Sequence, residues 1–185
     1  MEHLVGLDKR AWTSRDVAHL LVGNTALSEL SMADALEVVA LMKARRVKEG
    51  SVITQEGTEN SDYMVLILSG EAVVQSEAGA QDETLVLGIA STGALLGELG
   101  LLDGEPRSAT CIASSYMDVA ILERSKLTLL MAEKPRVAAN LLAAILKKVA
   151  QRLRASNKKV RALSQINRSL QDELHVTKNP LAEVD

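Results

Sequence analysis

The spacing of hydrophobic residues changes period twice along this chain and divides it into three zones. Up to about Lys43 the punctuation is helical. Ser31 is placed to cap a helix over 32–43, in which Leu36, Val39, Ala40 and Lys43 follow the i, i+3, i+4, i+7 spacing of one face. An earlier helix is expected over 14–22. From about Arg45 to Leu122 the period shortens. Short Val, Ile, Leu and Thr runs are set off by Gly50, Gly57, Gly70, Gly79, Gly88, Gly93, Gly97, Gly100 and Gly104. The clearest strand is Tyr63-Met64-Val65-Leu66-Ile67-Leu68, closed by the turn Ser69-Gly70-Glu71. Further strands are read at Thr84-Leu85-Val86-Leu87, at Ala109-Thr110-Cys111-Ile112-Ala113 and over 117–122. Many short strands with turn signals between them predict a small antiparallel sandwich or barrel. No crossover helices fit between the strands, which excludes parallel βαβ units.

The third zone begins near Ser125 and is helical, with Pro135 marking a helix start. From Leu142 the seam positions are Leu142, Leu146, Val149, Leu153, Ser156, Val160, Leu163, Asn167, Leu170 and Leu174, in alternating steps of four and three. This heptad covers roughly 33 residues, or about 50 Å of helix. It favours pairing with a second copy through Leu146, Val149, Leu153, Val160 and Leu163; the other reading is a long helix folded back on its own domain.

Composition narrows the function classes. With one Trp, two Tyr and no Phe, the core must be aliphatic, and aromatic platforms for single-stranded nucleic acid are nearly absent. The net charge of −3 gives no global attraction to polyanions. A single Cys excludes an intramolecular disulfide and, without a CxxC pair, argues against a thiolate zinc site. Cys111 itself reads as a small buried hydrophobe. His3, His19 and His175 are scattered without metal-ligand spacing, and no nucleophile–base set, Walker loop or paired carboxylates stand out, so no enzyme is expected. Met1-Glu2-His3-Leu4-Val5 lacks a signal pattern, and no apolar run reaches the ~18 residues of a membrane span, so a cytoplasmic location is expected.

The stretch that carries chemistry is Gly97-Glu98-Leu99-Gly100-Leu101-Leu102-Asp103-Gly104-Glu105-Pro106-Arg107-Ser108-Ala109-Thr110. Gly97 and Gly100 permit close backbone approach, so N–H groups at a helix start can face an anion. Arg107 supplies a permanently charged fork for phosphate oxygens. Glu98 can accept hydrogen bonds from a sugar hydroxyl. The set asks for a ligand with one phosphate, one ribose hydroxyl and an apolar base.

This stretch closely resembles the phosphate-binding cassette of the cyclic nucleotide-binding domain, the sensor shared by catabolite activator proteins and regulatory subunits of cyclic-AMP-dependent protein kinase. Gly50, Glu56-Gly57 and Ser69-Gly70-Glu71 match the family's turns, and Glu123-Arg124 and the run from Pro135 to Arg152-Leu153 look like its helices, so the likeness covers about 31–160. It implies an α+β fold: an antiparallel β-roll (a jelly-roll-like, double-stranded β-helix) flanked by N-terminal helices and a long C-terminal helix. The corresponding divisions are an N-terminal helical segment over 1–44, the nucleotide-binding β-roll over 45–124, a hinge and dimerisation helix over 125–176 and a tail over 177–185.

The resemblance also implies roles. Glu98 would hold the ribose 2′-hydroxyl, and Arg107 the cyclic phosphate together with the N–H groups of Gly100 and Ser108. The Ser108 hydroxyl is a further candidate for phosphate or base, and Leu87 would lie under the base. Ser156 and Asn157 fall where activator-type relatives close the pocket from the long helix. Ser156 also occupies a seam position, where a polar residue needs a partner; the alternative is a register-setting role, which suits Asn167 better.

The function so implied is a stand-alone cyclic nucleotide sensor that binds cyclic AMP in preference to cyclic GMP, Ser108 being compatible with either. Its output would pass to a separate protein through movement of the long helix, with Leu99, Leu101 and Leu102 shifting the hinge. Only about eleven residues follow Leu174, too few for a DNA-reading helix-turn-helix. Two rivals remain open: a dimeric scaffold with a vestigial pocket, and nucleic-acid binding by Lys147, Lys148, Arg152, Arg154, Lys158, Lys159, Arg161 and Arg168, a run that also reads as a solvated helix flank.

Overall fold

The computed structural model describes residues 4–5, 11–23, 26–59, 62–77 and 84–178. His3, Gly79 and the tail from Asn179 lie outside them, as do the side chains of Leu174 and His175. A short antiparallel pair, β1 (Leu4–Val5) and β2 (Ala11–Trp12), precedes two helices. Thr13 and Asp16 form a reciprocal capping box at the start of α1 (Ser14–Leu21), each side chain accepting the other's backbone N–H at 3.1 Å. Ser31 caps α2 (Met32–Val39), its hydroxyl accepting from the Asp34 N–H at 3.1 Å.

The second helix is shorter than its spacing predicts. It ends at Val39, and Lys43 opens β3 (Lys43–Val47) instead. The buried face is Asp34, Ala35, Val38 and Val39, whereas Leu36 and Ala40 are exposed. Residues from Lys43 onward give up the helix because backbone pairing with a neighbouring strand, Ala44 opposite Ala120 and Arg45 opposite Val119, outweighs a weak helical preference.

Two four-stranded antiparallel sheets follow. One has the order β3, β10 (Met117–Glu123), β5 (Tyr63–Ser69), β8 (Leu95–Leu96); the other is β4 (Val52–Thr54), β9 (Thr110–Ala113), β6 (Glu71–Glu77), β7 (Thr84–Ser91). Val65, Ile67, Met117 and Val119 of the first meet Ala72, Ala90, Cys111 and Ala113 of the second in an aliphatic core. Cys111 is buried there, in the small-hydrophobe role its surroundings suggested. The alternate residues of β5, Met64, Leu66 and Leu68, are equally buried on the other face, against which α1 packs. A strand covered on both sides reads as a continuous apolar run, which is why β5 was the clearest strand in the sequence.

After the sheets come α4 (Arg124–Glu133) and α5 (Pro135–Lys178), the latter opening on its proline. The start of α5 and the residue before it are joined to α2: Asn140 Nδ2 donates to Asp34 Oδ2 at 2.9 Å, Arg136 lies 3.5 Å from the same carboxylate, and Lys134 pairs with Glu37. The chain divides into two compact units, 1–146 and 147–185. In the second, the seam residues Leu153, Val160, Leu163 and Leu170 are 53–65% exposed. No helix among the described residues is long and apolar enough to cross a membrane.

Candidate functional site

The site is built on α3 (Glu98–Asp103), six residues bracketed by Gly97 (φ 71°) and Gly104 (φ 75°), both in the left-handed region. At Gly97 glycine is required twice over. An L side chain resists that conformation by about 1–2 kcal/mol, and a Cβ there would overlap the Arg107 guanidinium. The backbone ladder of α3 begins with Leu101 N–H donating to Gly97 C=O at 3.2 Å, so the first-turn N–H groups of Glu98, Leu99 and Gly100 stand outside it. Glu98, at the head of this turn, is only 2% exposed, and Leu101 anchors the turn beneath at 1%.

Arg107 is also buried, at 6%. Its backbone is clamped by the turn after β4: Arg107 N–H donates to Thr58 C=O at 3.2 Å, and Gly57 N–H donates to Arg107 C=O at 2.9 Å. Its side chain reaches back to α3. Nη1 donates to Gly97 C=O at 2.9 Å, Nη2 to Tyr63 C=O at 2.8 Å, and the guanidinium lies 4.4 Å from the centre of the Tyr63 ring. These contacts hold a fixed positive charge against the glycine that starts α3, with N–H donors left over for an anion. A buried carboxylate acceptor and a buried guanidinium donor therefore share the N-terminal end of one short helix. That suits hydroxyl and phosphate recognition, and among the described residues no His, Cys, Asp and Glu cluster could hold a metal.

Of the candidates read from sequence, Gly97, Glu98, Gly100 and Arg107 are brought together, with Ser108 exposed beside them. Leu99 is 36% exposed on α3, and Leu87 is 50% exposed on β7. Ser156 and Asn157 are exposed residues of α5 in the second unit.

Sequence reasoning missed two contributors. Tyr63 opens β5 and cradles Arg107. Arg124, the first residue of α4, donates from Nη2 to Gly100 C=O at 2.5 Å and from its backbone N–H to Asp62 C=O at 2.6 Å. A cation in the first turn of a helix opposes the macrodipole, so its presence there was a readable sign of a tertiary bond. The bond ties α3 to the start of the helical hinge.

Comparison with known proteins agrees with this geometry. The family model described as cyclic nucleotide-binding domain matches residues 44–134. A cyclic nucleotide-gated potassium channel of Mesorhizobium japonicum is 33% identical over 110 residues, covering 60% of this chain and 28% of the channel. The chain thus spans under a third of the length of that curated relative. Among solved structures, a cyclic nucleotide-binding domain from Methylobacillus flagellatus superposes with a TM-score of 0.71 at 27% identity, covering 86% of each chain. The regulatory domain of Toxoplasma gondii PKA, solved with cAMP, gives 0.58 at 26% identity over 74% of this chain and 50% of that one. With its cassette and its two-sheet β-roll, the chain carries over residues 44–134 a domain of the cyclic nucleotide-binding family.

Proposed function

We propose that the protein is a cyclic nucleotide sensor rather than an enzyme, with cyclic AMP as its preferred ligand. One observation carries this reading: the buried Glu98 side chain and the buried Arg107 guanidinium are both held at the glycine-started N-terminal end of α3. Arg107 takes the cyclic phosphate with its remaining N–H donors, joined by the N–H groups of Gly100 and Ser108. Glu98 accepts from the ribose 2′-hydroxyl, and Leu87 supplies an apolar wall for the base. The relative solved with cAMP supports the choice of ligand by analogy.

Ligand energy shifts a helix only if the two helix positions contact the ligand differently. The Arg124 bond to Gly100 offers a mechanical route, since a ligand that moves α3 moves the first turn of α4 with it. The output is then a change in how α5 is presented to a separate protein. Calorimetry and thermal melting with cyclic AMP, cyclic GMP and a cyclic dinucleotide test the reading. Cyclic AMP should bind most tightly and raise the melting midpoint by mass action. No stabilisation by any of the three removes the sensor reading.

The exposed seam of α5 supports a homodimer, since Leu153 at 60%, Val160 at 59% and Leu163 at 65% exposure recur at heptad spacing. A Leu153→Glu, Leu163→Glu double variant is expected to sediment as a monomer where the parent protein sediments as a dimer. Identical sedimentation of the two would refute pairing through this seam. If dimerisation persists and no nucleotide binds, the scaffold reading takes over.

A further inference from the structure

Beside the cassette, the β-roll opens between β3, β4, β5 and β10 into a groove of about 390 Å³, within the ~300–1,000 Å³ range of small-molecule sites. Its floor is aliphatic, made of Val47, Val65, Val119 and Ile121, with Val52 and Ile53 facing them from the other sheet. None of Gly97, Glu98, Arg107 or Ser108 lines it; Tyr63 borders both places. The Tyr63 hydroxyl is already committed, donating to Ile53 C=O at 2.8 Å.

The rim carries the cations Lys43, Arg45 and Arg46 together with the Glu123 carboxylate, and the strand register says which cations share the floor's face. Lys43 stands opposite Ile121 and Arg45 opposite Val119, so both lie on the face that forms the floor. Lys43 is engaged by Glu123 at 2.8 Å. Arg46, one residue out of phase, approaches Asp118 at 3.5 Å. Arg45 acts on Glu123 through space but makes no hydrogen bond or ion pair among the described residues.

We propose that this groove is a second ligand site, taking a free aliphatic carboxylate with its chain on the Val/Ile floor and its head group on Arg45. A polar ligand body would find no side-chain hydroxyl or amide left to bond and would lose its hydration without return. A neutral apolar ligand would leave the Arg45 fork unused. An acyl chain ending in a carboxylate satisfies both, because the planar guanidinium matches a carboxylate two bonds at a time.

The test is calorimetry of the full chain with decanoate below its micelle concentration, with decanol and decylamine as comparators. Arg45→Gln removes the anchor. Val52→Trp fills the mouth from a position that is 55% exposed, so neither change touches the core. Unchanged melting midpoints establish that both variants fold. Decanoate should bind with saturable heat, about tenfold more weakly to Arg45→Gln and not measurably to Val52→Trp, while decylamine gives none. The proposal is overturned by absence of decanoate binding, by equal affinity for decanol, or by indifference to Arg45→Gln. It is overturned equally if decanoate fails to bind and Val52→Trp changes the sedimentation of the protein, which would assign the groove to a second copy of the chain.

Discussion

Arg107→Ala is expected to weaken cyclic nucleotide binding by at least about a hundredfold, because the variant loses charge-assisted bonds to a buried phosphate worth about 3 kcal/mol. It is also expected to melt earlier. Arg107 is buried and supplies the hydrogen bonds to Gly97 C=O and Tyr63 C=O. Removing both donors leaves those carbonyls unmatched, at a cost of about 1–3 kcal/mol. Arg107→Lys separates the two duties. It keeps the charge and part of the carbonyl bonding but not the planar fork, so stability should recover further than affinity. Calorimetry with cyclic AMP and urea unfolding of both variants read the two effects independently. Undiminished affinity in Arg107→Ala would remove this residue from the site.

Asp34→Ala should be the most destabilising change outside the cassette, by about 2–3 kcal/mol. The carboxylate is 3% exposed and joins α2 to the first turns of α5. The bond from Asn140, with that from Ser31 and the charge of Arg136 behind it, holds its pKa below the ordinary carboxylate value despite burial, which pushes the other way. The sign follows from linkage. A native pKa below the unfolded one means the stabilisation is complete above the unfolded carboxylate range and drains away as pH falls toward the depressed native value. The gap in unfolding free energy between the parent protein and Asp34→Ala should therefore be full at about pH 7 and narrower at about pH 3. A gap that stayed constant with pH would mean that the carboxylate charge plays no part.

Much of the fold was legible because its strongest signals are local. The strand β5 announces itself by an uninterrupted apolar run, α2 by its Ser31 cap, and α5 by Pro135 and its heptad. The strands that went unread, β1, β2, β3, β4, β6 and β8, are short or polar: Lys43-Ala44-Arg45-Arg46-Val47 carries three cations and holds its place through pairing with β10. The same limit applied to the site. The cassette order identified Gly97, Glu98 and Arg107, whereas Tyr63 and Arg124 serve it through contacts that span 44 and 24 positions of the chain.

What the sequence by itself determined was the set of pieces with a periodic or capping signature, and the chemistry of a cassette whose members lie close together along the chain. Tertiary structure alone decided where α2 stops, which carbonyls Arg107 holds, and that Arg45 faces an apolar groove while Arg46 meets Asp118. The reason is physical. Periodicity and caps are properties of neighbouring residues, but a strand's register and a buried side chain's partners come into being only when distant segments meet, and the free energy of that meeting overrides local preference.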